Sequence, residues 1–156
     1  IIQQLNMSLI RDLDEIVNMI TLKELLKGKD FNLLPKEHQD NLLILLERIN
    51  KVRIAYGKQF LVTSGYRSME DHLGIYKRKG ITDINKIPVK SKHLFGLACD
   101  LADPKKELQT WCRNNQDILR NLGIWMEDFR YSSTWVHFQC APYGSYKEGG
   151  SLWFIP

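Results

Sequence analysis

No apolar run in this chain approaches the roughly eighteen residues that a membrane-spanning helix needs. The opening residues, Ile1 to Met7, lack a basic start, a long apolar centre and a small-residue cleavage site, so they are not expected to act as a secretory signal. Cysteine is scarce. Cys99, Cys112 and Cys140 stand far apart with no C-x-x-C pair, which argues against a disulfide framework. Their apolar neighbours predict buried thiols in a protein folded in a reducing compartment. Excess charge of one sign is missing too. A formal net charge of +4 is too small to imply a nucleic-acid partner.

What is present is an ordinary globular composition, 44% apolar and 26% charged, with 156 residues to bury a core. One domain is the simplest reading. Basic residues do gather locally. Lys77, Arg78, Lys79, Lys86, Lys90 and Lys92 lie in a stretch whose only acid is Asp83. A solvated loop accounts for this. The functional alternative is attraction of an anionic substrate or cell-wall polymer toward the neighbouring His93.

Helical spacing runs through residues 8–19, with Leu9, Leu13, Ile16 and Ile20 on one side. Thr21 and Glu24 form a capping box for a short helix that Gly28 ends. Pro35 opens the longest helix, whose broad apolar face includes Leu42, Leu43, Leu45, Leu46, Ile49, Val52 and Ile54. His38, in its polar first turn, reads as a surface residue. Phe60–Ser64 is a buried strand stopped by Gly65, and Ser68 caps a helix from Met69 to about Lys79. His72 on that charged helix reads as solvated. Residues 80–90 form an irregular loop, a plausible pocket wall. Asp103-Pro104 starts a helix reaching about Asn121. Ile124–Glu127 and Trp135–Cys140 are strands, and the Gly- and Tyr-rich residues 141–156 are a tail. The expected class is α+β, a small, mostly antiparallel sheet with helices packed on it. The N-terminal helices occupy 8–57 and the functional core 58–140.

The chemistry concentrates in Ser91-Lys92-His93-Leu94-Phe95-Gly96-Leu97-Ala98-Cys99-Asp100. Gly96 lets the backbone bend so that His93 swings toward Asp100. Alternation beyond the bend sends Leu97, Cys99 and Leu101 to one face and Ala98, Asp100 and Ala102 to the other. The two small alanines leave room for an ion beside the carboxylate. On the last strand His137 shares a face with Trp135 and Gln139, away from Val136 and Phe138. Two imidazoles and one carboxylate are a usual ligand set for a catalytic zinc with a fourth position open. Arg67 follows the Gly65 turn at the end of a buried strand, where its guanidinium can fork onto a carboxylate or stabilise developing negative charge. Ser91 is placed to hydrogen-bond substrate or a metal ligand.

Three segments in this order, Ser64-Gly65-Tyr66-Arg67-Ser68, the S-x-H-x-x-G-x-A-x-D run from Ser91 to Asp100, and Trp135-Val136-His137, resemble the zinc D-Ala-D-Ala carboxypeptidase family. That family includes D-Ala-D-Ala dipeptidases and phage L-alanyl-D-glutamate endolysins, and shares its fold with hedgehog signalling domains. The resemblance spans about residues 21–140. It implies the hedgehog/DD-peptidase fold, a Zn2+ held by His93, Asp100 and His137, and a peptidoglycan stem peptide as substrate. It also implies that Arg67 holds the substrate or the oxyanion and that Ser91 lines the site. Many members carry a catalytic acid three residues before the last histidine, where this chain has Thr134. Some phage members place a Glu on the preceding strand instead. Glu127 matches that arrangement and is favoured over Asp128 as the base. The implied setting is a protein made without a signal peptide that acts on the cell wall after release, or one carried in a phage virion. The alternatives are a non-catalytic zinc-binding module and a wall-binding component of a phage tail.

Overall fold

The structure, a computed structural model, describes residues 19–156. The helix expected over 8–19 falls almost entirely outside these residues. The first element described is α1 (Leu22–Leu26), and its capping box is complete: Glu24 N donates to Thr21 Oγ1 and Thr21 N donates to Glu24 Oε1. Helix α2 (Lys36–Tyr56) starts right after Pro35 and ends at a left-handed Gly57. Leu42, Leu45, Ile49 and Val52 form its buried stripe. The stripe is narrower than the sequence predicts, because Leu43 and Ile54 remain exposed.

Five short strands make one mixed sheet, so the molecule is α+β. They are β1 (Val62–Ser64), β2 (Ala98–Ala102), β3 (Trp125–Glu127), β4 (Trp135–Gln139) and β5 (Trp153–Phe154), in the spatial order β1-β2-β4-β3-β5. The first three pairings are antiparallel, while β5 lies parallel to β3. Strand β5 comes from the segment expected to be a tail. Met126 N donates to Leu152 O and Asp128 N to Phe154 O, so this segment completes the sheet edge. Its Gly- and Tyr-rich composition gave no strand signal.

One face of the sheet is the core. Val62, Cys99, Leu101, Met126, Val136 and Phe138 pack there with the buried stripe of α2. All three cysteines are buried, as their apolar neighbours predict. Among the described residues no helix is long and apolar enough to cross a membrane. Helix α3 (Met69–Arg78) is capped by Ser68 as expected. The helix expected from Asp103 to about Asn121 is two helices, α4 (Glu107–Asn114) and α5 (Gln116–Leu122). The Asn115 side chain donates to Trp111 O, replacing the ladder with a local bond that breaks the helix. Pro104 is not in the first helical position. The helix starts later, and the Asp103 carboxylate accepts from Leu108 N and Gln109 N.

Gly65 is where α1 meets the sheet end. Tyr66 N donates to Leu25 O at 2.7 Å, and a Cβ on Gly65 would collide with the Leu25 carbonyl. Neither backbone can move without breaking that bond. Gly65→Ala is expected to destabilise the fold by about 1–3 kcal/mol, the usual cost of overpacking. A lowered midpoint in urea or thermal unfolding checks this.

Candidate metal centre

The face of the sheet opposite the core carries the polar residues. Antiparallel register sets Asp100 of β2 directly across from His137 of β4. His93 reaches them from a tight 3-10 turn, Lys92–Phe95, that precedes β2. Gly96 ends the turn with φ 75°, and a Cβ there would sit 2.9 Å from both His38 O and Leu42 Cγ. Both the conformation and the close approach require glycine.

His93 is clamped at two points by the Gly65-Tyr66-Arg67 backbone. Its Nδ1 bonds Gly65 O at 2.8 Å, and its carbonyl accepts from Arg67 N at 3.1 Å. A carbonyl only accepts, so Nδ1 carries the hydrogen and the Nε2 lone pair points at Asp100 Oδ1, 3.3 Å away. His137 faces the same oxygen through Nδ1 at 2.9 Å, while its Nε2 lies 2.9 Å from Gln139 Oε1. Their possible ligand atoms all lie within 4.8 Å of one another.

This arrangement calls for a cation. With neutral imidazoles, two nitrogen lone pairs and a carboxylate would face one another with nothing between them. Donors at about 2.1 Å from a tetrahedral zinc stand ~3.4 Å apart, close to the separations here. The donor set and its spacing therefore fit a metal ion. Without one, a proton can take its place between Asp100 Oδ1 and His137 Nδ1. Burial disfavours charge on His137, but the hydrogen bond and charge of Asp100 outweigh it and hold the His137 pKa above its ordinary value. Burial wins at His93 and lowers its pKa. Burial also works against charge on Asp100, yet the two imidazoles push its pKa well below the carboxylate range. A metal ion taken up here would displace the proton shared by Asp100 and His137. Zinc added to metal-free protein below the raised His137 pKa is expected to release about one proton per site. Acidification of a weakly buffered solution reads this directly, and release should fade as the starting pH rises through that pKa.

Two further charged groups border the trio, Arg67 and Glu127. Arg67 Nη2 stands 3.6 Å from Asp100 Oδ2, and the guanidinium donates to Ser64 Oγ through Nε and Nη2. The ladder between β3 and β4 pairs Trp125 with Gln139 and Met126 with Phe138, so its next step brings Glu127 level with His137. Burial lifts the Glu127 carboxyl above its ordinary pKa. His137 pulls it down, Asp100 pushes it up and Lys79 pulls it down again. Asp128, next in sequence, is forked by Arg130 at 3.0 and 2.9 Å, and that pairing lowers its pKa.

Of the residues singled out from sequence, His93, Asp100, His137 and Arg67 come together, with Glu127 on the adjoining strand. Ser91 does not join them through any hydrogen bond described. It precedes the turn that carries His93 and makes no side-chain cap bond. Thr134 lines an open cleft of about 420 Å3 beside Asp100, together with Thr63, Ala102, Pro104 and Trp135. Two other histidines differ from expectation. His72 is fully buried rather than solvated, because its face of α3 packs on the 80–90 loop, where Nε2 bonds Pro88 O at 2.9 Å. His38 is half-buried, with Nδ1 2.9 Å from the Tyr66 hydroxyl. Neither is part of the trio.

Sequence reasoning missed the supports: the Gly65 carbonyl, the Ser64 hydroxyl and Gln139. Only Gln139 had a usable signal, its alternation onto the face of His137. No family model, curated protein or solved structure matches the chain.

Proposed function

We propose that the chain is a zinc peptidase of the hedgehog/DD-peptidase fold that hydrolyses a peptide bond in the peptidoglycan stem peptide. One observation carries the reading: two lone-pair imidazoles and a carboxylate converge on one point, with Glu127 and Arg67 at its border. The order of S-G-Y-R-S, S-x-H-x-x-G-x-A-x-D and W-V-H along the chain supports the family and the substrate class.

When bound at His93, Asp100 and His137, zinc supplies Lewis acidity that makes water more acidic and a carbonyl more electrophilic. The protein's own groups do the rest. Glu127, with its raised pKa, takes a proton from the attacking water and delivers it to the leaving amine. Arg67, fixed by Ser64, offers its guanidinium to the oxyanion or to a substrate carboxylate. The cleft beside Thr134 and Trp135 gives the peptide a path past Asp100.

Thr134 favours a second reading. It stands where many family members carry their acid, and it cannot act as a base. A non-catalytic zinc module, or a wall-binding component of a phage particle, would need no acid there. Digestion of purified peptidoglycan, with and without a zinc chelator, separates the two by mass spectrometry. A chelator-sensitive new amine terminus is the expected result, and the fragment mass names the bond. Intact walls of several chemotypes after treatment with zinc-loaded protein would overturn the peptidase reading and favour the module.

A further inference from the structure

Gln139 is almost fully buried, two residues beyond His137 on the same face of β4. Its side chain makes two hydrogen bonds. Nε2 donates to Ala141 O at 2.7 Å, and Oε1 lies 2.9 Å from His137 Nε2. These bonds leave no freedom in the orientation. The Ala141 carbonyl can only accept, so the amide nitrogen must face it. The amide oxygen must then face His137, and it too can only accept. His137 Nε2 therefore carries a hydrogen, and the Nδ1 lone pair is left to face Asp100 Oδ1. His93 is held the opposite way, with Nδ1 bonded to Gly65 O and Nε2 facing the same oxygen. The two imidazoles thus present different nitrogens to one point.

We infer that Gln139 is a positioning residue that fixes His137 as an Nδ1 ligand, through an amide relay anchored on the Ala141 carbonyl. The inference rests on the metal-centre reading. A free imidazole on β4 has two neutral tautomers and can turn about its side-chain bonds. Only one tautomer in one orientation points a lone pair at the site. Ligand histidines are commonly held by such an outer partner, and its loss typically costs ~10–100-fold in metal affinity. The relay also joins the centre to the chain that leaves β4 and returns as β5 beside Glu127.

The test uses the full chain, zinc alone as the probe, and three proteins. Long-range proton–nitrogen correlation spectra of the wild-type histidine rings, metal-free at alkaline pH and zinc-loaded, are expected to show His137 protonated at Nε2 in both. A His137 protonated at Nδ1 overturns the inference without any variant. Gln139→Leu is expected to weaken zinc binding by about 10–100-fold in competition with a chromophoric chelator, and to mix the His137 tautomers. Gln139→Glu keeps an acceptor for Nε2–H but loses the donor to Ala141 O. It is expected to bind zinc within a few-fold of wild type. A merely structural role would make both variants equally poor, since both lose the bond to Ala141, and that outcome overturns the inference. Wild-type affinity in folded Gln139→Leu also overturns it, leaving the metal centre intact. Failure of the wild-type protein to bind zinc overturns both.

Discussion

Glu127→Gln is expected to keep zinc bound and to lower stem-peptide hydrolysis by about 10²–10⁴-fold, the usual worth of a positioned general base. The substitution is nearly isosteric and leaves His93, Asp100 and His137 untouched, so metal content should match wild type. What is lost is the ability to take a proton. The carboxyl suits that task because burial has raised its pKa toward neutrality, with His137 opposing and Asp100 reinforcing the shift. Asp128→Asn is the contrasting variant. Its carboxylate is held by Arg130 with a lowered pKa, which makes it a poor proton acceptor near neutral pH. Activity within a few-fold of wild type is expected there. Metal analysis beside the rates is essential, because a Glu127→Gln protein that had lost zinc would be inactive for another reason. Full activity in zinc-loaded Glu127→Gln would move the base elsewhere.

The difference between Glu127 and Asp128 shows where sequence reading reaches its limit. Alternation along β3 was enough to send Trp125 and Glu127 to one face. It could not reveal that Arg130 turns back onto Asp128, because that contact depends on the conformation of the turn. The same holds for the centre as a whole. The Gly96 bend and the small Ala98 and Ala102 made a His93–Asp100 pairing legible, and strand alternation placed His137. The register that sets His137 opposite Asp100 is a tertiary fact, as is the clamp on His93 from residues 65–67. Histidines without a pattern were read least well. His72 looked solvated from its charged neighbours, yet α3 rolls it under the loop to Pro88. Strand β5 was invisible because two residues with a parallel partner need no alternation of their own. Helices were legible where Thr21, Ser68 or a closing glycine marked their ends, and misread where Asp103-Pro104 precedes the true start at Glu107 and where Asn115 interrupts the backbone ladder from within.

Asp100→Ala is expected to abolish zinc binding, a loss larger than the ~10–100-fold typical of an outer partner, and with it all chelator-sensitive hydrolysis. Asp100 is the only anion in the ligand set, and both imidazoles point their lone pairs at its Oδ1. The variant should also change how metal-free stability depends on pH. In the wild type, the depressed Asp100 pKa contributes stability that is present above its ordinary value of 3.8 and is lost as pH falls through the folded value. The raised His137 pKa contributes stability that is present below its ordinary value of 6.5 and is lost as pH rises through the folded value. Both contributions are complete together only between 3.8 and 6.5. The Asp100–His137 pair therefore stabilises the metal-free wild type most in mild acid and less toward neutral pH, while the lowered His93 pKa acts in the opposite sense, its contribution being present above 6.5 and lost as pH falls. Zinc in the proposed site would take the place of the shared proton and should restore the midpoint at neutral pH, by an amount that grows with free zinc. In Asp100→Ala the carboxylate is gone and burial leaves His137 neutral, so both the pair's mild-acid contribution and the zinc-dependent rise should vanish. Calorimetry across that range, with chelator and with added zinc, reads both effects. A zinc-dependent rise surviving in Asp100→Ala would place the metal on other ligands.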